Sequence, residues 1–334
     1  MKKIILISAL LCFTATAFAN TFQEPAQISR FQPWISVLRQ TVAKHNTTSA
    51  LAEALLNKEI RTATFLLEGL AKLYQTQDPF FKNWRLTLKT LEDVIGAYDT
   101  WNTRVKEAKQ SGKSPQTIAE FQRRANEAKY SLETFLVQQA WVDKNGNSSL
   151  DIFEKQISQF AWKAYSVDRE EMLSHLERQL TKINETTYDI TVLEHGNGLH
   201  ELRREIRWFL IQARSLNGLL SYDLTKNQSQ TCPRSIYVDL LKNLKLVNDK
   251  YAKLPTATKE FSCYVSQCLV LALAETVAKL GDLKDAAEKI IHLSDNPQSD
   301  ALPPQLIPQA QFIYQSLRPA ELLWTLKTEI QDCH

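Results

Sequence analysis

The sequence predicts an all-helical protein. Three observations carry that expectation. The 334 residues contain eight glycines, long stretches are built from Ala, Leu, Lys, Glu and Gln, and apolar residues step by three and four with almost no strand-like alternation.

The first 19 residues stand apart. Lys2 and Lys3, the apolar run from Ile4 to Phe13, and Ala17, Phe18 and Ala19 follow the charged, apolar and small-residue order of a secretory signal peptide, with cleavage expected after Ala19. The apolar run is too short to span a bilayer, and no later segment is apolar enough. The expectation is an exported protein, periplasmic or secreted, with no membrane span. Removing the leader takes 40 basic residues to 38 against 37 acidic ones, and the net charge from +3 to +1. That balance argues against general nucleic-acid binding, which needs a broad excess of Lys and Arg. Any anion site must be local.

Residues 20–334 are expected to form one helical domain. Helices are predicted over 28–44, 49–74 and 79–112, the last started by Asp78 and Pro79. After a breaker cluster at 111–115, a strongly periodic helix over 117–141 ends at a polar loop. Short helices follow to about 183, and residues 188–192 are the plausible extended stretch. A central helix over 199–222 comes next, with Leu199, Leu202, Ile206, Phe209 and Ala213 on one face. Helices over 233–254 and 258–292, a Pro-rich linker over 295–308 and a C-terminal helix over 309–330 complete the chain.

Four cysteines remain after the leader: Cys232, Cys263, Cys268 and Cys333. An even number in an exported protein predicts two disulfides. With Cys263 and Cys268 on one helix, residues five apart diverge too far to bridge each other, so each is expected to pair with Cys232 or Cys333.

The sharpest local pattern lies in a predicted helix-loop-helix over 117–165. Asp143, Asn145, Asn147, Asp151 and Glu154 fall at the first, third, fifth, ninth and twelfth positions of an EF-hand loop, and Ser149 offers its carbonyl at the seventh. These hard oxygen donors make calcium the expected ion, and Leu150 fills the apolar eighth position. Ser148 stands where glycine takes the sharp turn. With charge from Asp143, Asp151 and Glu154 alone, the expected affinity is that of weak extracellular sites, ~10⁻⁴–10⁻³ M.

A second candidate site lies on the central helix. His200, Arg203 and Arg207, at i, i+3 and i+7, put an imidazole and two guanidinium groups on one strip at the boundary of core and solvent. Guanidinium donors match phosphate or carboxylate oxygens in pairs. The alternative use of such a strip is an ion-pair network with carboxylates of adjoining helices such as Asp99 or Asp285. The segment from Lys58 to Arg61, followed by Leu66, Leu67, Leu70 and Leu73, has the layout of His200 to Arg203. Each is followed by a helix with an acidic turn, ending at Asp99 and Asp285. The chain therefore reads as two halves, about 28–112 and 185–292, on one plan.

The pattern LHELRREIR from Leu199, with AKLGDLKDA from Ala278, resembles the second half of a CHAD domain, the helical domain family named for its histidine. The resemblance implies two pseudo-symmetric antiparallel helical bundles around a basic cavity that binds polyphosphate or a similar polyanion. Carried over by position, it assigns His200, Arg203 and Arg207 to the ligand, with Lys58 and Arg61 as the counterpart in the first half. Lys58 stands where the family has its first histidine. Phe65, Leu66 and Trp208 occupy positions where the family has further basic residues.

Enzyme signatures are lacking. Ser, His and Asp occur in no recognisable nucleophile turn, His175, His195 and His200 lack zinc spacing, and no glycine-rich phosphate loop is present. The expected function is non-enzymatic binding of an anionic, polyphosphate-like ligand at the basic strip, with calcium at the loop. A calcium-stabilised cell-envelope scaffold or interaction protein is the alternative, and a metal-dependent phosphoester hydrolase a less favoured one.

Overall fold

A computed structural model describes residues 27–45, 47–142, 148–194, 196–222, 251, 253–254, 262–292, 300–317 and 319–333. Residues 1–26, where a leader is expected, residues 143–147, Cys232 and the helix expected over 233–254, apart from its last few residues, lie outside this set.

The described chain is mostly helical, in keeping with the sequence. Its opening elements are α1 (Ile28–Lys44), α2 (Thr48–Ala54), α3 (Lys58–Tyr74), α4 (Pro79–Gln110) and α5 (Pro115–Gln138). Local chemistry sets their starts. Thr47, Asn57, Asp78 and Ser114 each accept a backbone N–H from the first turn of the following helix, and Pro79 and Pro115 occupy first helical positions. The single helix expected over 49–74 is thus two helices. The Asn57 side chain takes the Glu59 amide at 2.8 Å and restarts the helix one residue later.

Next come α6 (Ser149–Gln159), α7 (Tyr165–Glu185) and α8 (Leu199–Ser215). The stretch expected to be extended makes two isolated bridges, Asp189 with Gly198 and Val192 with Ala301. Helix α8 stops at Ser215, short of the 222 expected, because Asn217 and Gly218 take positive φ (44° and 98°) and turn the chain. Leu220–Tyr222 then forms β1, parallel to β2 (Cys263–Val265), with Leu220 opposite Cys263. Cys263 is therefore on a strand, a correction to the helix expected from 258. The long helix starts later, as α9 (Gln267–His292). At the C-terminus two helices, α10 (Ile307–Leu317) and α11 (Pro319–Gln331), stand in place of the expected single one.

Cys263 and Cys333 are bonded, with Cα atoms 5.5 Å apart, and Cys268 is also in a disulfide. The first bond fastens the end of α11 to β2. Glu329 reinforces that junction by accepting hydrogen bonds from Ser266, the backbone N–H among them at 2.8 Å.

Helix α3 lies at the centre of the packing. It contacts α1, α4 and α8, while α5 packs on α4, and α7 and α9 pack on α8. Gly69 is why α3 and α8 approach closely: a Cβ there would sit 2.9 Å from Ile211 Cγ2. One buried apolar cluster runs from Ile28 to Ile330, and a smaller one of Leu66, Trp208 and Ile211 lies at the α3–α8 contact. The core also holds charge. Arg30 of α1 donates through Nη1 to Asp168 Oδ2 of α7 at 2.6 Å and to the Tyr74 hydroxyl of α3, with Arg30 and Asp168 2 % and 1 % exposed. Among the described residues, no helix is long and apolar enough to cross a membrane.

Candidate anion-binding cleft

Helices α3, α4 and α8 enclose a cavity of about 460 Å³. That volume is in the range of small-molecule sites. Helical geometry explains the lining. On α3, Arg61, Phe65, Glu68 and Lys72 fall on one stripe, as do Arg85, Lys89, Glu92 and Asp93 on α4, because steps of three, four and seven return to nearly the same direction. Helix α8 contributes His200, Arg204, Glu205, Arg207 and Trp208.

Arg61, His200 and Arg207, three of the five residues expected in an anion site, meet in this cleft. Lys58 and Arg203 do not line it. Lys58 is exposed at the start of α3. Arg203 turns towards α9, where its Nε donates to Val277 O at 3.2 Å and its guanidinium lies against Gly281, in the field of Asp282 and Asp285. Burial, then Arg207, lowers its pKa. Arg203 is a tie between helices. Sequence reasoning missed Lys72, Arg85 and Lys89. Their signal was present in the spacing of α3 and in Arg85, Lys89 and Glu92 at steps of four and three on α4.

The cations differ in how far they are neutralised. Arg61 pairs with Asp99 at 2.7 Å and Glu92 at 3.8 Å, Arg204 with Glu201 at 2.7 Å, and Lys89 with Asp93. Glu205 is engaged by Lys182 at 3.0 Å. Lys72 lies over the Trp208 ring (5.0 Å) and Arg207 over Phe65 (5.5 Å), and the two rings meet edge to face at 6.5 Å. Arg85 donates to the neutral amide oxygen of Gln75 at 2.8 Å. Among the described residues, no carboxylate stands within ion-pairing distance of Lys72, Arg85 or Arg207, and Arg207 Nε is buried without a hydrogen-bond partner. Phe65 and Trp208 thus supply aromatic faces that hold Arg207 and Lys72 in place.

Burial lowers the His200 pKa, against the pull of Glu194, whose carboxylate lies 3.7 Å from Nδ1; Lys284, Arg203 and Arg207 lower it further. His200 is therefore neutral at pH 7. Burial pushes Glu68 up to about 7 despite Lys89, Arg85 and Lys72. The folded chain accordingly holds the Glu68 proton more tightly than the unfolded chain does. The contribution of Glu68 to stability is fully present below the unfolded value near 4.5 and is lost as pH rises through about 7. Urea unfolding is expected to show this decline, and Glu68→Gln to flatten it with a gain of about 2–3 kcal/mol at pH 8. An unchanged pH profile in the variant would assign the decline to other groups.

The calcium pattern is only partly within the described residues. Asp143, Asn145 and Asn147 lie outside them. Ser148 caps α6 in a reciprocal pair with Asp151, and Ser149 is the first helical residue, so its carbonyl points into the helix ladder. Asp151 also pairs with Arg39 at 2.8 Å, and Glu154 with the same guanidinium. Among the described residues, no three His, Cys, Asp or Glu side chains gather as metal ligands.

No family model, no curated protein and no solved structure matches this chain.

Proposed function

We propose that the chain is an exported binding protein for a multivalent oxyanion, polyphosphate-like in chemistry, held in the cleft between α3, α4 and α8. The observation that carries this reading is the set of three cations, Lys72, Arg85 and Arg207, converging from three helices with no carboxylate partner among the described residues. The cleft also holds Glu68, Glu92, Asp93 and Glu205, and Glu205 and Glu68 act on Lys72 as attracting charges, but none closes an ion pair with Lys72, Arg85 or Arg207, which leaves their donors open to a ligand's charge-assisted hydrogen bonds. Arg61 and His200 border the same space and extend the site along α3 and α8. The volume of the cleft suits a short oxyanion or the end of a chain rather than an enclosed polymer. Export is supported by the disulfide chemistry, which belongs to oxidising compartments.

The two-halves plan forms part of the proposal. It is supported by the packing order, in which α4 lies on α3, α3 on α8 and α8 on α9. It is also supported by Arg61 reaching Asp99 on α4 while Arg203 lies against Gly281 within α9.

Calorimetric titration with inorganic tripolyphosphate at two salt concentrations tests the function. Wild-type affinity is expected to fall steeply with salt. Lys72→Ala combined with Arg207→Ala is expected to lose at least about 100-fold, at ~1.5–3 kcal/mol for each of two charged hydrogen bonds. Arg203→Ala is expected to keep the affinity and to lose ~1 kcal/mol of stability with its bond to Val277 O. Absence of binding by the wild type, or equal affinity in the double variant, sinks the reading.

A further inference from the structure

The cleft that gathers cations also buries an acid. Glu68 stands on α3 between Phe65 and Lys72 and lines the cavity, yet is 3 % exposed, and its Oε2 has no hydrogen-bond partner. Lys72 of its own helix and Arg85 and Lys89 of α4 act on it as attracting charges, and Asp93 as a repelling one. Arg61 of α3, Glu92 of α4, and His200, Arg204, Glu205 and Arg207 of α8 border the same space. None of the cations forms an ion pair with Glu68 among the described residues. A buried carboxyl left unbonded among cations, in a site of this size, is a group whose charge the site can shed.

We infer that Glu68 is an internal counter-ion which competes with the ligand for Lys72, Arg85 and Lys89, and that oxyanion binding transfers one proton from solvent to the Glu68 carboxylate. This rests on the cleft being an oxyanion site. Two anions facing each other in a poorly solvated space repel strongly, and a carboxyl responds by taking a proton. The neutral carboxyl gains an O–H donor, which a ligand oxygen can accept. Since burial already brings Glu68 to about 7, a modest added negative charge completes its protonation near neutral pH. His200 adds a second, lower step. Burial and its cationic neighbours keep it neutral until the pH falls below the ordinary histidine range, and a bound anion opposes that effect.

The probe for this inference is inositol hexasulfate, whose own charge is constant over the range used. Calorimetry at about pH 7.5 in two buffers of different ionisation enthalpy counts the protons taken up. The expected wild-type result is uptake of up to about three quarters of a proton, the fraction of Glu68 still ionised at that pH, and roughly tenfold tighter binding at pH 6 than at pH 8. In Glu68→Gln the uptake at pH 7.5 is expected to disappear, with binding at pH 8 rising towards the wild-type value at pH 6. The wild-type proton count stands by itself if the variant does not fold. Binding without proton uptake, or uptake undiminished in the variant, overturns the inference and leaves the site intact. Absence of any binding to hexasulfate or tripolyphosphate overturns the site and the inference together.

Discussion

Asp168→Ala is expected to lower the unfolding free energy by ~3–5 kcal/mol, because it strands the Arg30 guanidinium in the core. Asp168 is 1 % exposed and Arg30 2 %, so neither solvent nor salt can replace the lost partner. The Tyr74 hydroxyl remains beside Nη1, and Nη2 already has no hydrogen-bond partner. The loss is a large share of the ~5–15 kcal/mol that holds most domains together. Urea unfolding followed by circular dichroism measures it. The companion variant Arg30→Met with Asp168→Leu should recover much of the stability, since apolar residues of similar volume replace buried ion pairs at little net cost. A single variant within about 1 kcal/mol of wild type would show that the pair contributes little.

Cys333→Ser is expected to cost about 4 kcal/mol. The Cys263–Cys333 bond closes a loop of 70 residues, and the loop entropy removed from the unfolded chain grows with the logarithm of its length. In the folded chain, Arg169 of α7 also donates to Cys333 O at 2.9 Å, and Glu329 holds Ser266, so the C-terminus should stay docked after the bond is cut. The effect should therefore appear as a lower urea midpoint with unchanged helicity. Adding reductant to the wild type should reproduce at least this loss, because Cys268 is disulfide-bonded as well. A midpoint insensitive to both treatments would contradict the estimate.

The helical frame was legible wherever caps and periodicity agreed. Helix α1 matches the stretch expected over 28–44, and Asp78 with Pro79 marked the start of α4. Legibility failed where a residue of weak signal mattered more than the apolar stripe. Asn57 divides a continuous pattern, and Asn217 ends α8 in a conformation that its neighbours do not advertise. The strand pair could not be read because each strand has three residues and gains its partner from a distant part of the chain. In the cleft, His200 and Arg207 were legible because seven residues nearly complete two turns. Arg203 was misplaced because three residues fall about 60° short of one turn, enough to aim it at α9. Lys72 and Arg85 were not singled out, since either alone resembles an ordinary solvated charge. Only the apposition of α3 and α4 makes them neighbours.

The walls of the cleft are made at different times. Helices α3 and α4 are complete once the chain has been synthesised past Gln110, but the third wall begins at Leu199. At ~5–20 residues per second, translation separates them by on the order of 5–20 s. A nascent or truncated chain lacking α8 has Lys72 and Arg85 but neither Arg207 nor the Trp208 ring that positions Lys72. Anion capture would therefore report that the two ends of the site have been brought together. A bound oxyanion would favour the completed chain over partly folded ones, by an amount that rises with ligand concentration.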